Sequence, residues 1–353
     1  MNIIKQWPVF FLLLAFAIAP LFQGIQTGVL VAIHILVLAV FTKVFLASYQ
    51  KLRIPYNFLS FAICLFYLWM ALSISWSQAP AASLYMFVWL TIFPLCFFIY
   101  SLKQPDDWPY FSIGILCVAL FFSFIGIGQG LFLLSDTIVS LFPTKNTYPT
   151  FLNLIAVPAT AYFISPKQSS NKLLMLWGMI LFVLFFAVFQ TGSKGATISL
   201  LLGLVFITVP SWKYIERSSF SIVLLILTTA FLFAYIQTDG YTVNRFHAVA
   251  TNISDESISE RLLHWQSAWE IIKTAPIIGV GIGTYYIVEP SVRHVDNAGA
   301  GYFTHNDYLQ FWLETGFIGL SLMLFIMVAI SILFVRVFRQ KNLTLHNRLE
   351  AIG

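Results

Sequence analysis

KLLMLWGMILFVLFFAVFQ occupies residues 172–190. The turn TGSK follows at 191–194, then GATISLLLGLVFITVPSW at 195–212 and, past a second polar turn, SFSIVLLILTTAFLFAYI at 219–236. None of the three runs carries an Asp, Glu, Lys or Arg in its middle. A helix that crosses a hydrocarbon core of about 30 Å needs about 20 predominantly apolar residues, and each run is close to that length. Working outward, similar runs lie at approximately 7–23, 28–47, 56–76, 82–101, 108–134, 149–165 and 303–335. The reading is an all-α polytopic membrane helix bundle of about ten transmembrane spans.

Composition supports the same class. The chain is 59% hydrophobic and only 9% charged, against roughly 25% charged in ordinary soluble domains, so its apolar surface has no soluble core to hide in. Mean hydropathy is +0.86. Cys64, Cys96 and Cys117 lie within or at the end of hydrophobic runs without CxxC or CxxH spacing, which supports neither a disulfide framework nor a zinc site. The pI of about 9.0 does not argue for nucleic acid, because in a membrane protein the placement of basic residues matters more than their sum.

That placement sets an expected orientation. With the N-terminus in the cytoplasm, Lys5, Lys43, Lys51, Arg53, Lys103, Lys167, Lys172, Lys213, Arg217, Arg336, Arg339 and Lys341 fall inside. Loops 23–27, 77–81, 135–148 and 191–194, assigned outside, hold only Lys145 and Lys194. This is the positive-inside pattern, and it puts the long polar segment 237–302 on the outer face, which in a bacterium is the periplasmic or extracellular side. The Ala17-Ile18-Ala19 triplet resembles a signal-peptide cleavage site, but Pro20 follows it directly, so the first run is read as a span.

Lys194 stands in a tight turn near headgroup level, where its ammonium and neighbouring backbone N–H groups suit a phosphate; a lysine reaching to lipid headgroups is the competing reading. His34 and Asn153 are isolated polar residues within spans and are expected to make interhelical hydrogen bonds. No Asp, Glu, Lys or Arg sits at mid-depth of the first nine runs, which counts against an ion-coupled transporter.

The polar segment and the run after it contain His247, His264, His294 and His305 with Arg245, Arg261 and Arg293. Residues 257–274 read as an amphipathic helix with the stripe Ile258, Leu262, Trp265, Trp269 and Ile272, a capping box of Ser257 and Glu260, and a geometry suited to the membrane surface. Arg261 flanks that stripe and can reach lipid phosphates; a structural salt bridge is the competing reading. Gly279-Val280-Gly281-Ile282-Gly283 lacks the spacing and βαβ context of a dinucleotide fingerprint and reads as a close-packed turn. If Thr304 caps the last span, His305 lies in its first turn, and Asn306, Gln310 and Glu314 form one polar side. A histidine titrating near pH 6.5 can take a proton from a hydroxyl, with Asp307 or Glu314 to orient it; an interfacial packing histidine is the plainer alternative. Gly316 and Gly319 let a neighbouring helix approach. The histidine spacings are too irregular for a metal site, and there is no HExxH.

Taken together, Thr191-Gly192-Ser193-Lys194-Gly195, Arg261 with Trp265, Pro276 with Gly279, Gly281 and Gly283, His305-Asn306-Asp307-Tyr308-Leu309-Gln310 and Glu314-Thr315-Gly316 with Gly319 resemble the O-antigen ligase family. That family shares its core with O-antigen polymerases and bacterial O-oligosaccharyltransferases. The resemblance covers roughly 180–335 and divides the chain into N-terminal spans (1–172), a ligase-like core (173–335, with periplasmic loop 237–302) and a short cytoplasmic tail (336–353). It implies a metal-independent glycosyltransferase without cofactor, acting on an undecaprenyl pyrophosphate-linked glycan. The acceptor would be lipid A core or another glycan or protein, among membrane lipids and without nucleic acid. Arg261 matches the arginine expected on the donor pyrophosphate, and His305 the histidine that assists the acceptor hydroxyl. Lys194 stands where the family has arginine, keeping the charge without the bidentate grip; Arg293 is a further candidate for the pyrophosphate, with Asp307, Gln310 and Glu314 supporting. Ligase, polymerase or protein oligosaccharyltransferase, and lipid-linked glycan transporter are the three readings. The family continues with further spans after the run at 303, so a truncated or shortened member is expected.

Overall fold

The structure, a computed structural model, describes residues 7–20, 27–48, 58–102, 108–132, 138–165, 171–241, 243, 256–293 and 303–339. Arg245, His247 and His294 lie outside them. In order, the helices are α1 Trp7–Ile18, α2 Thr27–Ser48, α3 Phe58–Ser73, α4 Pro80–Leu90, α5 Ile92–Leu102, α6 Trp108–Phe132, α7 Thr147–Ile164, α8 Asn171–Gln190, α9 Lys194–Ser211, α10 Arg217–Gln237, α11 Glu256–Thr274, the single turn α12 Tyr285–Val288, and α13 Asp307–Arg339. No strand occurs among the described residues. Among the same residues, eight segments are long and apolar enough to cross a membrane, from Thr27–Ala47 to Asp307–Phe334.

Two of the expected spans do not meet that standard among the described residues. The first is helical only over the 12 residues of α1, about 18 Å at 1.5 Å per residue. The other, α7, carries Asn153, Thr160 and Pro158 and buries most of its length in protein. The run at 82–101 is interrupted at Thr91, between α4 and α5. Pro94 has no N–H for the Leu90 carbonyl one turn back; the Tyr67 hydroxyl donates to that oxygen instead, at 2.8 Å.

The described helices fall into two compact units. One holds α1, α2 up to Val40, and α6 to α10. Its core forms around the end of α8, where Leu184, Phe185, Phe186, Ala187, Val188, Phe189 and Gln190 are buried without a break. A helix end enclosed on all sides needs apolar residues all round, as this one has. Asn153 donates to the Ala196 carbonyl at 2.7 Å and to Ser199 Oγ at 2.8 Å, the expected bond between helices. His34 Nδ1 meets the Leu30 carbonyl of its own helix at 2.8 Å.

The second unit holds α2 from Phe41, α3 to α5, α11, α12 and α13 up to Leu333. Helix α11 begins at Glu256, so Ser257 is a helical residue and not the cap. Its protein-packed face is distinct from the stripe expected at the membrane surface. His264, Ser267, Ala268, Ile271 and Ile272 are buried, whereas Leu262, Trp265 and Trp269 are exposed. Ala268, Ile271 and Ile272 form a small core with Val280, Tyr285 and Leu313. Small Ala and Ser side chains allow close packing there and leave the indoles outside, where the Trp265 ring N–H donates to the Thr304 carbonyl at 3.1 Å.

Candidate active site

The two glycine motifs of the second unit form one structure. Helix α13 is broken at Gly316, whose φ of 70° and ψ of −178° lie outside helical geometry. The break frees carbonyls and N–H groups that an unbroken helix would pair internally. The carbonyls of Leu313 and Glu314 accept from the N–H groups of Val280 and Gly281, both at 2.9 Å. The Thr315 carbonyl accepts from the Trp69 indole at 2.8 Å. In return, Phe317 N–H donates to the Pro276 carbonyl at 2.9 Å and Ile318 N–H to that of Ile277 at 3.3 Å. Gly279, Gly281 and Gly283 all have positive φ, and a Cβ on Gly279 would lie 2.5 Å from the Glu314 carbonyl oxygen. The expected close-packed turn is thus laced to the broken helix by main-chain bonds. The close neighbour at Gly316 is the backbone at Ile277, not another helix; Gly319 does face one, since a Cβ on it would lie 3.2 Å from the Trp69 ring of α3.

Glu314 ties this turn from the side. Its side chain is 3% exposed; Oε2 accepts from Gly283 N–H at 2.8 Å, and Oε1 from Tyr285 N–H at 3.3 Å and from Gln310 Nε2 at 2.8 Å. Gln310 Oε1 in turn accepts from Thr304 N–H at 2.9 Å. The polar side expected of α13 therefore faces protein, and it carries order from the glycine turn to the residue preceding His305.

His305 lies outside the helix. Asn306, not Thr304, is the cap, its Oδ1 accepting from Tyr308 and Leu309 N–H at 3.1 and 3.3 Å. An Asx side chain reaches the N2 and N3 amides with the geometry a cap needs, and Thr304 is engaged elsewhere. It is fully buried, its hydroxyl bonds to the Asn306 backbone, and its carbonyl holds the Trp265 indole. Between these anchored neighbours His305 adopts a φ of 56°, a left-handed conformation costing about 1–3 kcal/mol in a non-glycine residue. The hydrogen bonds on either side sustain that strain and turn the imidazole toward α11.

There it meets Arg261 and His264. The His264 and His305 ring centroids are 5.9 Å apart. Partial burial lowers the proton affinity of His305 below that of an ordinary histidine; the charges of Arg261 and His264 act in the same direction and Glu260 opposes them. The shift favours the neutral imidazole, the form that can accept a proton. Arg261 itself is exposed and forms no ion pair with another described residue.

The other predicted cations are placed differently. Arg293 directs Nε and one terminal nitrogen to the fully buried Glu289 carboxylate, with contacts of 2.6 to 3.0 Å, and this bonding holds its proton more firmly than usual. Lys194 belongs to the first unit, where it is the first residue of α9. Ser193 caps that helix, with its hydroxyl bonded to Asn146 Oδ1 at 2.9 Å. A lysine at a helix start is a favourable setting for an anion. Asp307 begins α13 and is exposed.

Two residues of this neighbourhood carried no expected role. His264 is buried and meets the Tyr285 hydroxyl through Nδ1 at 3.2 Å. A sequence signal existed: Arg261 and His264 are three residues apart, hence on one helical face. Tyr285, in a glycine-flanked turn, gave none.

The fold and this constellation define a multi-pass helical membrane protein with a histidine and arginine site in the segments leading into its last described span. Residues 179–324 match the family model described as O-antigen ligase. The family's members are glycosyltransferase-like ligases, and the match supports a membrane enzyme of that kind. No curated protein matches the chain.

Proposed function

We propose that this protein is an O-antigen ligase that moves a glycan from undecaprenyl pyrophosphate to lipid A core on the periplasmic face of the bacterial inner membrane. The observation that carries the reading is the placement of His305, strained in its backbone and facing α11, within the electrostatic reach of exposed Arg261, in the region that matches the O-antigen ligase model. In the proposed step an acceptor hydroxyl oxygen attacks the anomeric carbon of the donor sugar. The bond from that carbon to the pyrophosphate oxygen breaks, and the electron pair leaves with undecaprenyl pyrophosphate. His305 receives the hydroxyl proton, and Arg261 neutralises charge developing on the leaving group.

Because the leaving group is already activated, a cation and a base suffice, and the reaction is proposed to need no metal. Arg293, through the donors it does not direct to Glu289, is proposed to add a cationic contact to the pyrophosphate. Asp307, Gln310 and Glu314 support His305, the last two through Thr304 and the glycine turn.

The test is transfer by purified protein from a synthetic undecaprenyl pyrophosphate glycan to lipid A core in the presence of EDTA. Ligated product supports the reading. Elongation of the donor glycan alone would make the protein a polymerase, and donor bound without cleavage with any acceptor would make it a binder or transporter.

A further inference from the structure

We infer that His264, held by the Tyr285 hydroxyl, is a positioning residue for His305. The inference rests on the transfer reading above and adds to it a buried pair behind the base.

The geometry is that of a built support. His264 is 6% exposed and Tyr285 is fully buried. The Tyr285 hydroxyl meets both His264 Nδ1 at 3.2 Å and the His264 carbonyl at 3.4 Å. A hydroxyl has one proton, so both bonds form together only if it donates to the carbonyl and Nδ1–H donates to the hydroxyl oxygen. That arrangement selects one tautomer of His264 and fixes the plane of its ring. The ring so fixed lies 5.9 Å from that of His305, tilted by 55°, and forms a wall for an imidazole whose backbone is already pinned on both sides.

Tyr285 is itself set from two directions. Its amide donates to Glu314 Oε1 at 3.3 Å, and its ring packs with Ala268, Ile271 and Leu313. Burial first, then the nearby Glu289 charge, suppress ionisation of its hydroxyl while Arg293 favours it; the net effect keeps the phenol a neutral donor. A chain of contacts therefore runs from Glu314 through Tyr285 and His264 to His305. A packing role alone would need no hydroxyl on residue 285 and no nitrogen at the Nδ1 position of residue 264.

The test is steady-state transfer by Tyr285→Phe, His264→Leu and His264→Asn across a range of pH, beside wild type and His305→Ala. Tyr285→Phe and His264→Leu should lower kcat about 10- to 100-fold with the donor KM unchanged, as expected when a reacting group is misplaced while donor binding stays intact. His264→Asn keeps an amide for the Tyr285 hydroxyl and should recover most of kcat. Its acidic limb should move to higher pH, because a chargeable neighbour of His305 is gone while Arg261 and Glu260 on α11 and Asp307 on α13 remain. Wild-type kcat and an unmoved pH profile in all three variants would overturn the inference, as would a uniform loss that tracks lowered thermal stability without rescue by Asn. The His305→Ala lane separates the two levels. If it is inactive while the His264 and Tyr285 variants match wild type, only this inference fails; if it is active, the transfer reading fails and the inference with it.

Discussion

Gly316→Ala tests whether the broken helix α13 is the scaffold of the site. At φ 70° and ψ −178° the residue occupies a region essentially reserved for glycine, costing an alanine about 1–3 kcal/mol. The added Cβ would also fall against the Ile277 carbonyl, which is backbone and cannot rotate away. Relieving that clash separates the two segments and breaks Phe317 N–H to Pro276 and Ile318 N–H to Ile277, at about 1 kcal/mol for each bond. The sum is about 3–5 kcal/mol. Gly195→Ala is the matched control: a Cβ there meets nothing within 4 Å, and its effect should stay within about 0.5 kcal/mol. Thermal unfolding in detergent, followed by fluorescence of Trp69, Trp76 and Trp312 near the break, reads both. Gly316→Ala should unfold at clearly lower temperature and lose transfer activity. A Gly316→Ala protein as stable and active as Gly195→Ala would refute the scaffold argument.

Three further outcomes follow from the same geometry. Arg261→Ala should reduce kcat/KM for the donor by about 100-fold or more, and Arg261→Lys should recover only part of it, because an ammonium lacks the paired donors of a guanidinium; donor titration of the assay separates the two variants. His305 must be neutral to act, and its proton affinity is below that of an ordinary histidine, so wild-type activity should fall only as pH drops below about 6.5. Removing the Arg261 charge in Arg261→Gln raises that affinity, so the residual activity should show its acidic limb at higher pH. Glu314→Gln would turn an amide NH2 toward at least one N–H donor among Gly283, Tyr285 and Gln310, at a cost of about 1–3 kcal/mol, readable as a lower unfolding temperature.

What can be read from the sequence follows the physics of each signal. The membrane class is legible because apolar runs report on lipid directly, and His305, Arg261 and the glycine turn are legible as motifs. The break at Gly316 is not, since Gly316 and Gly319 three apart match a helix-packing pattern equally well, and only the carbonyls taken up by Val280, Gly281 and Trp69 distinguish the cases. The packed face of α11 carries little sequence signal of its own, because it is built from Ala268, Ser267 and His264 with two isoleucines. Thr304 reads as the cap because Thr and Asn are both good caps two residues apart; the burial of Thr304 decides for Asn306. His264 and Tyr285 meet only through the tertiary fold.

The most direct measurement of the central claim is acceptor-dependent release of undecaprenyl pyrophosphate by wild type and His305→Ala, with donor binding measured on the same preparations. The account predicts that wild type releases it when lipid A core is supplied with EDTA present, and that His305→Ala binds donor but releases none. Release at the wild-type rate by His305→Ala would contradict it.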